Sequence, residues 1–355
     1  MDAMKYLNSS RRSPPKSGDS GASTKCPERA PSAVERGQTA LSGNLTGDSL
    51  FAGTTVDCYE FLDRVFRQAG VLDYTEGFYN DDSTLSYEQA QHNQICYLLD
   101  QIECRKGSRI LDVGCGNGTL LDEVRRREAH ATGVTISLPQ TRFCTQRGLD
   151  VHRLDYRNIP QDWNGRFDAI AANGSIEHFV QPADALQGRA DEIYRDYFAI
   201  CHRLIDPRSK SRKLITTTIH FGRVRIEPRD AMKSPWSFPW FSDRFHYALL
   251  VRGYGGYYPL PGQLERCAQP YFKLVRERDA THDYHLTSEQ WLKHGKRSLL
   301  SIGQWARLLP FAMRHPRYAA RMLFTLLWAQ SWNWQFRTDK PPMKHLWQTW
   351  EYIKL

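Results

Sequence analysis

The sequence predicts an α/β fold in which a doubly wound parallel sheet is preceded by helices and followed by a helical segment. From Arg109 onward, short apolar runs alternate with stretches of helical periodicity, which is typical of strands joined by crossover helices. The first of these runs ends in a glycine-rich turn. The chain has 355 residues, of which 41% are hydrophobic and 25% charged, so it is long enough for one large core.

The N-terminal part of the sequence divides into two segments. Residues 1–52 are rich in Ser, Gly, Thr and Pro and show neither helical nor strand periodicity, so we expect a disordered leader. Helical spacing of apolar residues begins near Val56, and a second helix is predicted from Tyr87 to about Ile102. Both helices precede the first strand.

Six strands are predicted after these helices, at residues 109–114, 130–137, 151–156, 167–175, 213–221 and 271–281. A helix through Leu120 is predicted between the first and second strands, and a helix near Gln140 between the second and third strands. Ligands of such sheets bind beyond the carboxyl ends of the strands, so the functional residues are expected there.

The remaining segments are predicted from their composition. Residues 221–266 contain many Pro and Gly residues and are interpreted as an irregular substrate lid within a main domain that covers residues 53–295. Residues 296–355 are predicted to form a basic, Trp-rich helical tail packed on that domain.

The net charge of +9 is concentrated near the C-terminus. Residues 286–355 contain eleven Lys or Arg residues and three acidic residues, a surplus of eight, and seven of the ten tryptophans lie after residue 290. This combination favours docking on an anionic lipid surface, whereas a tail that packs on the domain with arginines at its surface is the structural alternative. The sequence contains no recognised nucleic-acid-binding module, so nucleic acid is not expected as a partner.

The eight cysteines are scattered, without a Cys-x-x-Cys pair or a spacing typical of zinc sites. We therefore expect no disulfide scaffold and no metal site. No apolar run is long enough for a membrane span. The expected location is cytoplasmic, with peripheral attachment to the inner face of the membrane if the tail binds lipid.

The strongest local signal is the segment ILDVGCGNG, residues 110–118, a strand that leads into a glycine turn and a helix. Such a turn favours a ligand that approaches the backbone closely, although a turn without a ligand and a dinucleotide site are alternatives. A dinucleotide site needs an acid after the second strand, and Gly133 to Ser137 contain none. Asp112 instead lies before the turn, where it could receive an ammonium group, and Asp155 with Tyr156 offers an amine acceptor beside an aromatic ring.

The chain resembles the S-adenosylmethionine-dependent methyltransferases, with a Rossmann-like sheet, in four ordered segments: ILDVGCGNG, TGVTISLPQ, LDYR and FDAIAANGSIEHF. More narrowly it resembles the cyclopropane fatty acid synthase and mycolic acid cyclopropane synthase family, through YEQAQ (87–91), GYYPLP (256–261) and DYHLT (283–287). The resemblance covers roughly residues 75–295. It implies S-adenosylmethionine as cofactor, with Gly114, Gly116 and Gly118 around the methionine moiety, Thr135 and Gln140 at the ribose, and Asp155 and Tyr156 at the adenine.

The resemblance also implies a reaction in which a methyl group is added to a cis double bond of an acyl chain and a bound bicarbonate accepts a proton. Glu177 matches the glutamate that holds this anion, and Tyr284 matches the tyrosine that bonds to it. Gly77 and Thr217 stand where the family has a cysteine and a histidine, so the sequence leaves cyclopropane, methyl-branched and methylene products open. The histidines that could substitute are His220, His282 and His285.

Three functions therefore remain open at the level of sequence. They are a lipid carbon methyltransferase, a methyltransferase for a small-molecule acceptor, and a cofactor-binding protein without catalysis that acts through its basic tail. The acceptor and the oligomeric state are not defined by the sequence.

Overall fold

The computed structural model describes residues 57–62, 64–65 and 74–355. The predicted leader, residues 1–52, lies outside the described residues. Residues 57–62 and 64–65 are helical, as the apolar spacing after Val56 predicts.

The centre of the fold is a seven-stranded sheet with the order β3-β2-β1-β4-β5-β7-β6. Strands β1 to β5 pair in parallel, and β7 pairs antiparallel with both β5 and β6. The strands are Arg109–Val113 (β1), His130–Thr135 (β2), Asp150–Arg153 (β3), Ala169–Asn173 (β4), Lys213–Phe221 (β5), Phe272–Asp279 (β6) and Met343–Tyr352 (β7). All six strands predicted from the sequence are present, and the parallel sheet predicted from the alternation is confirmed for β1 to β5, to which β7 and β6 add an antiparallel edge.

Successive residues of the central strands are buried on opposite faces of the sheet. Ile110 packs in a cluster with Ala169 and residues of the first two helices after residue 86, and Leu111 packs in the larger cluster on the other face. Both faces of β1 are thus covered, which explains why its sequence is apolar apart from Arg109 at its start and Asp112.

The α-helices described are Tyr87–Gln101 (α1), Thr119–Arg126 (α2), Leu138–Gln146 (α3), Pro182–Leu186 (α4), Ala190–Leu204 (α5), Pro228–Met232 (α6), Asp243–Tyr254 (α7), Gln263–Ala268 (α8), Thr281–Ser298 (α9), Ile302–Arg314 (α10), Pro316–Leu323 (α11) and Ser331–Trp334 (α12). Short 3₁₀ turns span Tyr156–Asn158, Gln161–Trp163, Ile176–His178 and Pro235–Ser237, and a π-helical turn spans Phe324–Trp328. Ser86 begins α1 with a capping box in which its hydroxyl accepts from the Gln89 amide. Among residues 57–62, 64–65 and 74–355, no helix has the length and hydropathy that a bilayer crossing requires.

The predicted irregular lid, residues 221–266, is more ordered than expected. Helix α7 occupies its centre, and Ser242 caps it by accepting a hydrogen bond from the Phe245 amide. Most of its residues are buried. The prediction of an irregular segment was wrong here because, apart from Gly253 in the last turn of α7, the Pro and Gly residues that suggested a loop lie before and after this helix.

The prediction of a helical tail over residues 296–355 is wrong for its last part. Helices α10 to α12 confirm the helical character up to Trp334, but Met343–Tyr352 is strand β7, inserted between β5 and β6. Trp347 and Trp350 are fully buried there. The sheet therefore requires residues beyond 295, and the proposed boundary between domain and tail does not hold. Two of the seven tryptophans that suggested an interface are therefore core residues of a strand that is covered on both faces.

Candidate functional site

One cavity of about 270 Å³ lies beyond the carboxyl ends of β1, β2 and β4. Its lining includes the residues that the sequence assigns to the cofactor, called the donor end below, and the residues assigned to catalysis, called the acceptor end. Nine of the ten predicted site residues line it: Asp112, Gly114, Gly116, Thr135, Gln140, Asp155, Tyr156, Glu177 and Tyr284.

The glycine turn after β1 is fixed by its backbone. The amides of Gly114 and Cys115 both donate to the carbonyl of Val134 on β2, at 2.9 and 3.0 Å. Gly114 has a φ of +83°, and a Cβ atom on it would overlap with the Cβ of Ser175. Glycine is required here because both the backbone conformation and the close approach of the loop after β4 exclude a side chain.

Gly118 is the one predicted site residue that does not line the cavity. It has a φ of +79° and is the residue that begins helix α2. A Cβ atom on Gly118 would collide with Leu149 and Cys144, so this glycine allows the helix to pack against its neighbours. Its predicted contact with the methionine moiety stays a prediction.

Two hydrogen-bonded side-chain pairs, Thr135–Gln140 and Asp155–Arg157, also belong to the donor end of the cavity. The Thr135 hydroxyl donates to Gln140 Oε1 at 2.7 Å, which holds the start of α3 against the end of β2. Burial acts to raise the pKa of Asp155, but two hydrogen bonds and the charge of Arg157 outweigh it, so the pKa lies below its usual value. The ring of Tyr156 stacks on Phe179, with centroids 4.2 Å apart.

This set of groups fits the cofactor that the resemblance implies. The buried carboxylate of Asp112 suits an ammonium group, the glycine backbone allows a close approach, and Asp155 is ionised to accept from an amine. Thr135 and Gln140 provide a hydroxyl and an amide for ribose hydroxyls. The donor end therefore matches S-adenosylmethionine in charge and hydrogen-bonding capacity.

Glu177 lies in the 3₁₀ turn Ile176–His178 after β4 and is only 6% exposed. Its Oε2 has no hydrogen-bond partner among the described residues. Burial raises its pKa to about 8, and the charge of Glu76 adds to this increase. Gly256 packs directly on the backbone carbonyl of Glu177, so the loop after α7 supports the position of this carboxylate.

Tyr284 lies in the first turn of α9 among aromatic rings. It stacks on Phe336 with a centroid distance of 4.5 Å, and it meets His345 edge-on at the same distance. Burial, followed by the charges of Glu76 and Glu177, raises its pKa well above the usual value. The phenol is therefore neutral and can donate a hydrogen bond.

Glu76 is a further acidic residue of this region that the sequence analysis missed. It is 1% exposed, and burial raises its pKa to about 7 although Gln94, Trp347 and Thr217 act to lower it. Gln94 Nε2 donates to Glu76 Oε1 at 3.1 Å and to Asn173 Oδ1 at 2.9 Å. Asn173 lines the cavity, so the amide of Gln94 connects Glu76 to its wall. The only signal in the sequence was its place next to Gly77.

Gly77 and Thr217 have structural partners of their own. The Gly77 amide donates to Thr287 Oγ1 at 2.8 Å. The Thr217 hydroxyl donates to Asn173 Oδ1 at 2.7 Å and accepts from the Gly174 amide at 2.9 Å. The fold therefore uses both positions to fix the loops on which Glu76 and Asn173 lie.

None of the three histidines considered from the sequence lines the cavity. His220 is buried, and burial together with His345 lowers its pKa to about 3, so it is neutral. His282 is exposed. His345, which the sequence analysis did not consider, lies on β7 with its Nε2 3.6 Å from Glu76 Oε1. Burial lowers its pKa to about 3, so it is neutral as well.

The rest of the cavity wall is mainly aromatic and aliphatic. These residues come from the N-terminal helix, the loop before α1, α7, α9 and the segment after α11, and they include Tyr59, Leu62, Tyr74, Tyr254, Trp291, Leu292, Leu326, Leu327 and Trp332. An apolar wall of this kind suits a hydrocarbon chain, and its rings can stabilise a positive charge.

Among the described residues, His92, Cys96 and Glu123 form one group whose ligand atoms are close enough to hold a metal ion. Glu123 is already within ion-pair distance of Arg126 and Arg127. Two nearby guanidinium groups disfavour a cation, so this group offers no reason to change the expectation of a site without metal.

Comparison with known proteins gives a consistent result. The family described as mycolic acid cyclopropane synthetase matches residues 58–302. The cyclopropane-fatty-acyl-phospholipid synthase of Escherichia coli strain K12 is 27% identical over 225 residues, which are 62% of this chain and 50% of that protein. The chain thus spans about half the length of that relative. Cyclopropane mycolic acid synthase 1 of Mycobacterium tuberculosis is 25% identical over 245 residues, which are 66% of this chain and 78% of that protein.

The fold is also found in solved structures. The cyclopropane synthase MmaA2 of Mycobacterium tuberculosis superimposes with a TM-score of 0.64 at 18% identity, covering 84% of this chain and 97% of that one. The mycolic acid cyclopropane synthase CmaA1, solved with S-adenosylhomocysteine (SAH) bound, gives a TM-score of 0.63 at 19% identity over the same shares of the two chains. At this level of identity the comparison shows a common fold.

Proposed function

Since the chain belongs to the mycolic acid cyclopropane synthetase family, we propose that it is an S-adenosylmethionine-dependent methyltransferase that acts on a double bond in the acyl chain of a lipid. The observation that carries this proposal is a single cavity with a polar, glycine-lined donor end and an apolar, aromatic acceptor end. A relative in the same fold is known with S-adenosylhomocysteine bound, and the relatives named above act on fatty-acyl phospholipids or mycolic acids by their descriptions.

S-adenosylmethionine, when bound, supplies a methyl group that is already activated by its sulfonium. The residues of the chain then have three tasks. Asp112, Thr135 and Asp155 hold and orient the donor, so that a nucleophile reaches the methyl group in line. The aromatic wall excludes water and stabilises the positive charge that develops on the acyl chain. Glu177 and Tyr284 lie at the acceptor end, where a proton must be removed.

This proposal is tested by incubating the purified protein with methyl-labelled S-adenosylmethionine and three acceptors in parallel. The acceptors are a phospholipid with cis-unsaturated chains, the same phospholipid with saturated chains, and a panel of small polar amines and phenols. We expect label only in the unsaturated lipid. Label in a small acceptor alone would support the small-molecule function, and donor binding without any turnover would support the non-catalytic one.

We also propose that the protein docks on an anionic membrane surface. The support comes from α10, whose inward side chains Leu308 and Phe311 are buried while a second apolar stripe faces outward. The exposed fractions along this stripe are 87% for Ile302, 48% for Trp305, 56% for Leu309 and 68% for Met313. Their helical spacing and the exposed cations Arg307 and Arg314 are typical of a helix that lies in a lipid interface.

The tryptophans that first suggested docking contribute less than expected. Trp291, Trp347 and Trp350 are buried, so these three residues pack in the core and are not available to a lipid surface. Trp305 and Trp328 remain exposed, and Trp328 meets the exposed rings of Trp240 and Phe241 with centroids 6.0 and 6.2 Å away. The surface proposed for docking is therefore the outer stripe of α10, with this aromatic group as a second contact.

The docking proposal is tested with the double variant Leu309→Glu, Met313→Glu and vesicles that contain either anionic or only zwitterionic phospholipid. Wild type should sediment with the anionic vesicles, and the double variant should lose most of this binding while its turnover with detergent-dispersed lipid stays within twofold. Val275→Glu is the matched control because Val275 is an exposed apolar residue on β6. Equal binding of wild type to both vesicle types would contradict the proposal.

A further inference from the structure

Two buried carboxyl groups of the site lack a cationic partner. Glu76 and Glu177 are 1% and 6% exposed, and among the described residues no Lys or Arg forms an ion pair with either. The one basic side chain near Glu76 is His345, which is neutral. Burying an uncompensated charge is unfavourable, so such a pair is maintained at a cost to stability and is a marker of function.

The two carboxyl groups belong to one electrostatic unit. The charge of Glu76 raises the pKa of Glu177, and both raise the pKa of Tyr284. Tyr284 and Glu177 line the cavity, whereas Glu76 lies behind the wall, next to His345 and to the amide of Gln94. Both groups are buried without a cation, and the charge of Glu76 further disfavours ionisation of Glu177, so the pair retains a proton near neutral pH.

The same observations are unfavourable for a bound bicarbonate. Gly77 and Thr217 supply neither a thiol nor an imidazole, and the hydroxyl of Thr217 is already engaged with Asn173 and Gly174. An anion placed between Glu177 and Glu76 would meet acidic groups without any described Lys or Arg to balance them. The residues present therefore do not fit bicarbonate.

We propose that Glu76 acts with Glu177 as the proton acceptor of this site, so that the protein's own carboxyl pair takes the place of an external anion. Glu177 faces the cavity and receives the proton, and Glu76 is a positioning residue that sets the protonation state of Glu177. This inference rests on the proposed function, because it needs a cationic acyl intermediate to deprotonate.

The proposed step balances as follows. The π electrons of the double bond form the new carbon–carbon bond to the methyl group, and the electrons of the carbon–sulfur bond remain on sulfur. The acyl chain is then cationic. A C–H bond of the added methyl group breaks, its electrons close the ring, and the proton passes to the carboxyl pair. The pair holds one proton before this step and two after it, and it releases the second to solvent when the product leaves.

The groups that face the pair define its pH dependence. They are Gln94 on α1, Asn173 at the end of β4, Tyr194 on α5, Thr217 on β5, Tyr258 after α7, Tyr284 on α9 and Trp347 and His345 on β7; Asp279 and Asp283 act on His345 from a distance. The tyrosines and His345 are neutral near pH 7, because burial raises the pKa values of the tyrosines and lowers that of His345. Removal of Glu76 should therefore lower the pKa of Glu177 and move the acid limb of the activity profile to lower pH.

The test compares wild type with Glu76→Gln, which keeps the size of the side chain, and Glu76→Asp, which keeps the carboxyl group. Glu265→Gln is the control, since Glu265 is an exposed glutamate on α8. Each protein is assayed for S-adenosylhomocysteine release and acyl product in buffer freed of bicarbonate, and again with added bicarbonate or formate. Donor affinity from calorimetry and the melting temperature report whether each variant is folded.

Wild type and Glu265→Gln should be equally active without bicarbonate. Glu76→Gln should bind the donor within twofold of wild type, form ring-closed product about 10-fold more slowly, because Glu177 with a lower pKa is a weaker proton acceptor, and regain part of the rate with formate. Glu76→Asp should keep most of the rate and an acid limb close to that of wild type. If Glu76→Gln does not fold, the proposal is judged from the rate and the pH profile of Glu76→Asp.

The inference is overturned if wild type requires bicarbonate, or if Glu76→Gln retains full rate with an unchanged pH profile. Failure of the proposed function gives a different result, since wild type itself would then form no acyl product.

Discussion

The two ends of the cavity are built in different ways. At the donor end, Asp112, Thr135 and Asp155 lie within or directly after three neighbouring parallel strands, and Asp155 is held ionised by Arg157. At the acceptor end, Glu76 and Glu177 are buried without a cation and have raised pKa values. These differences support the proposals that the donor end binds a charged molecule and that the acceptor end takes up a proton. Substitutions at the donor end should therefore lower the affinity for the donor, and substitutions at the acceptor end should lower turnover without changing that affinity.

The largest effect is expected from Asp112→Ala. This change removes the carboxylate assigned to the donor ammonium group, and hydrogen bonds to charged groups contribute about 1.5–3 kcal/mol, so affinity for S-adenosylhomocysteine should fall about 10- to 100-fold. Calorimetric titration measures this directly. Asp150→Asn at the exposed start of β3 is the control and should bind normally. Unchanged affinity of Asp112→Ala would remove Asp112 from the donor site.

The second effect concerns Gly256→Ala at the acceptor end. The new Cβ atom would overlap with the carbonyl of Glu177, and the φ of +82° adds about 1–2 kcal/mol of strain. Turnover should fall at least 10-fold, whereas affinity for S-adenosylhomocysteine should stay within threefold.

Gly262→Ala is the matched control for this variant. Gly262 has a φ of +70° but open space around its Cβ position, so it reports the backbone strain alone. If both variants lose turnover equally, the contact between Gly256 and Glu177 does not support the site.

The smallest effect is on the pH dependence of stability. The folded pKa values of Glu76 and Glu177, about 7 and 8, lie above the ordinary value of 4.5. The folded state therefore binds more protons than the unfolded state in this interval, and stability falls as the pH rises through it. His178, His220 and His345 have lowered pKa values and give the opposite slope, but only below pH 6.5.

The melting temperature of wild type should consequently fall between pH 6.5 and about 8.5, and that of Glu177→Gln should fall less. Each kcal/mol of stability that is lost when Glu177 ionises lowers the melting temperature by about 2–4 °C. Thermal melts across this range, with Glu265→Gln as reference, provide the measurement. Parallel curves for wild type and Glu177→Gln would mean that Glu177 is ionised in the folded protein.

The comparison of the two ends also shows which residues can be predicted from the sequence. Thr135 was assigned only through the resemblance, whereas Asp112 and Asp155 follow from strand ends because parallel strands bring their carboxyl ends to one edge. Glu177 was found in the same way, after β4. Tyr284 was found only through the resemblance, since it lies in a helix without a distinctive pattern.

Glu76 and His345 could not be predicted because neither belongs to a local motif. Glu76 lies in a loop before α1, and His345 reaches it only because β7 inserts antiparallel beside β5, opposite Ile219. The strand β7 itself was missed because its residues are buried on both faces, so its sequence lacks a clear alternation. The acceptor end is thus formed by residues that long-range strand pairing brings together, whereas the donor end is formed by residues that local sequence patterns can predict.

The account depends on transfer of the donor methyl group into an acyl chain within this cavity. The most direct measurement uses S-adenosylmethionine with a fully deuterated methyl group and a cis-unsaturated phospholipid, followed by mass spectrometry of the released fatty acids. The account predicts an acyl product that retains two of the three deuterons, in equal amount to the S-adenosylhomocysteine formed. An acyl chain without deuterium, from protein that binds the donor, would contradict it.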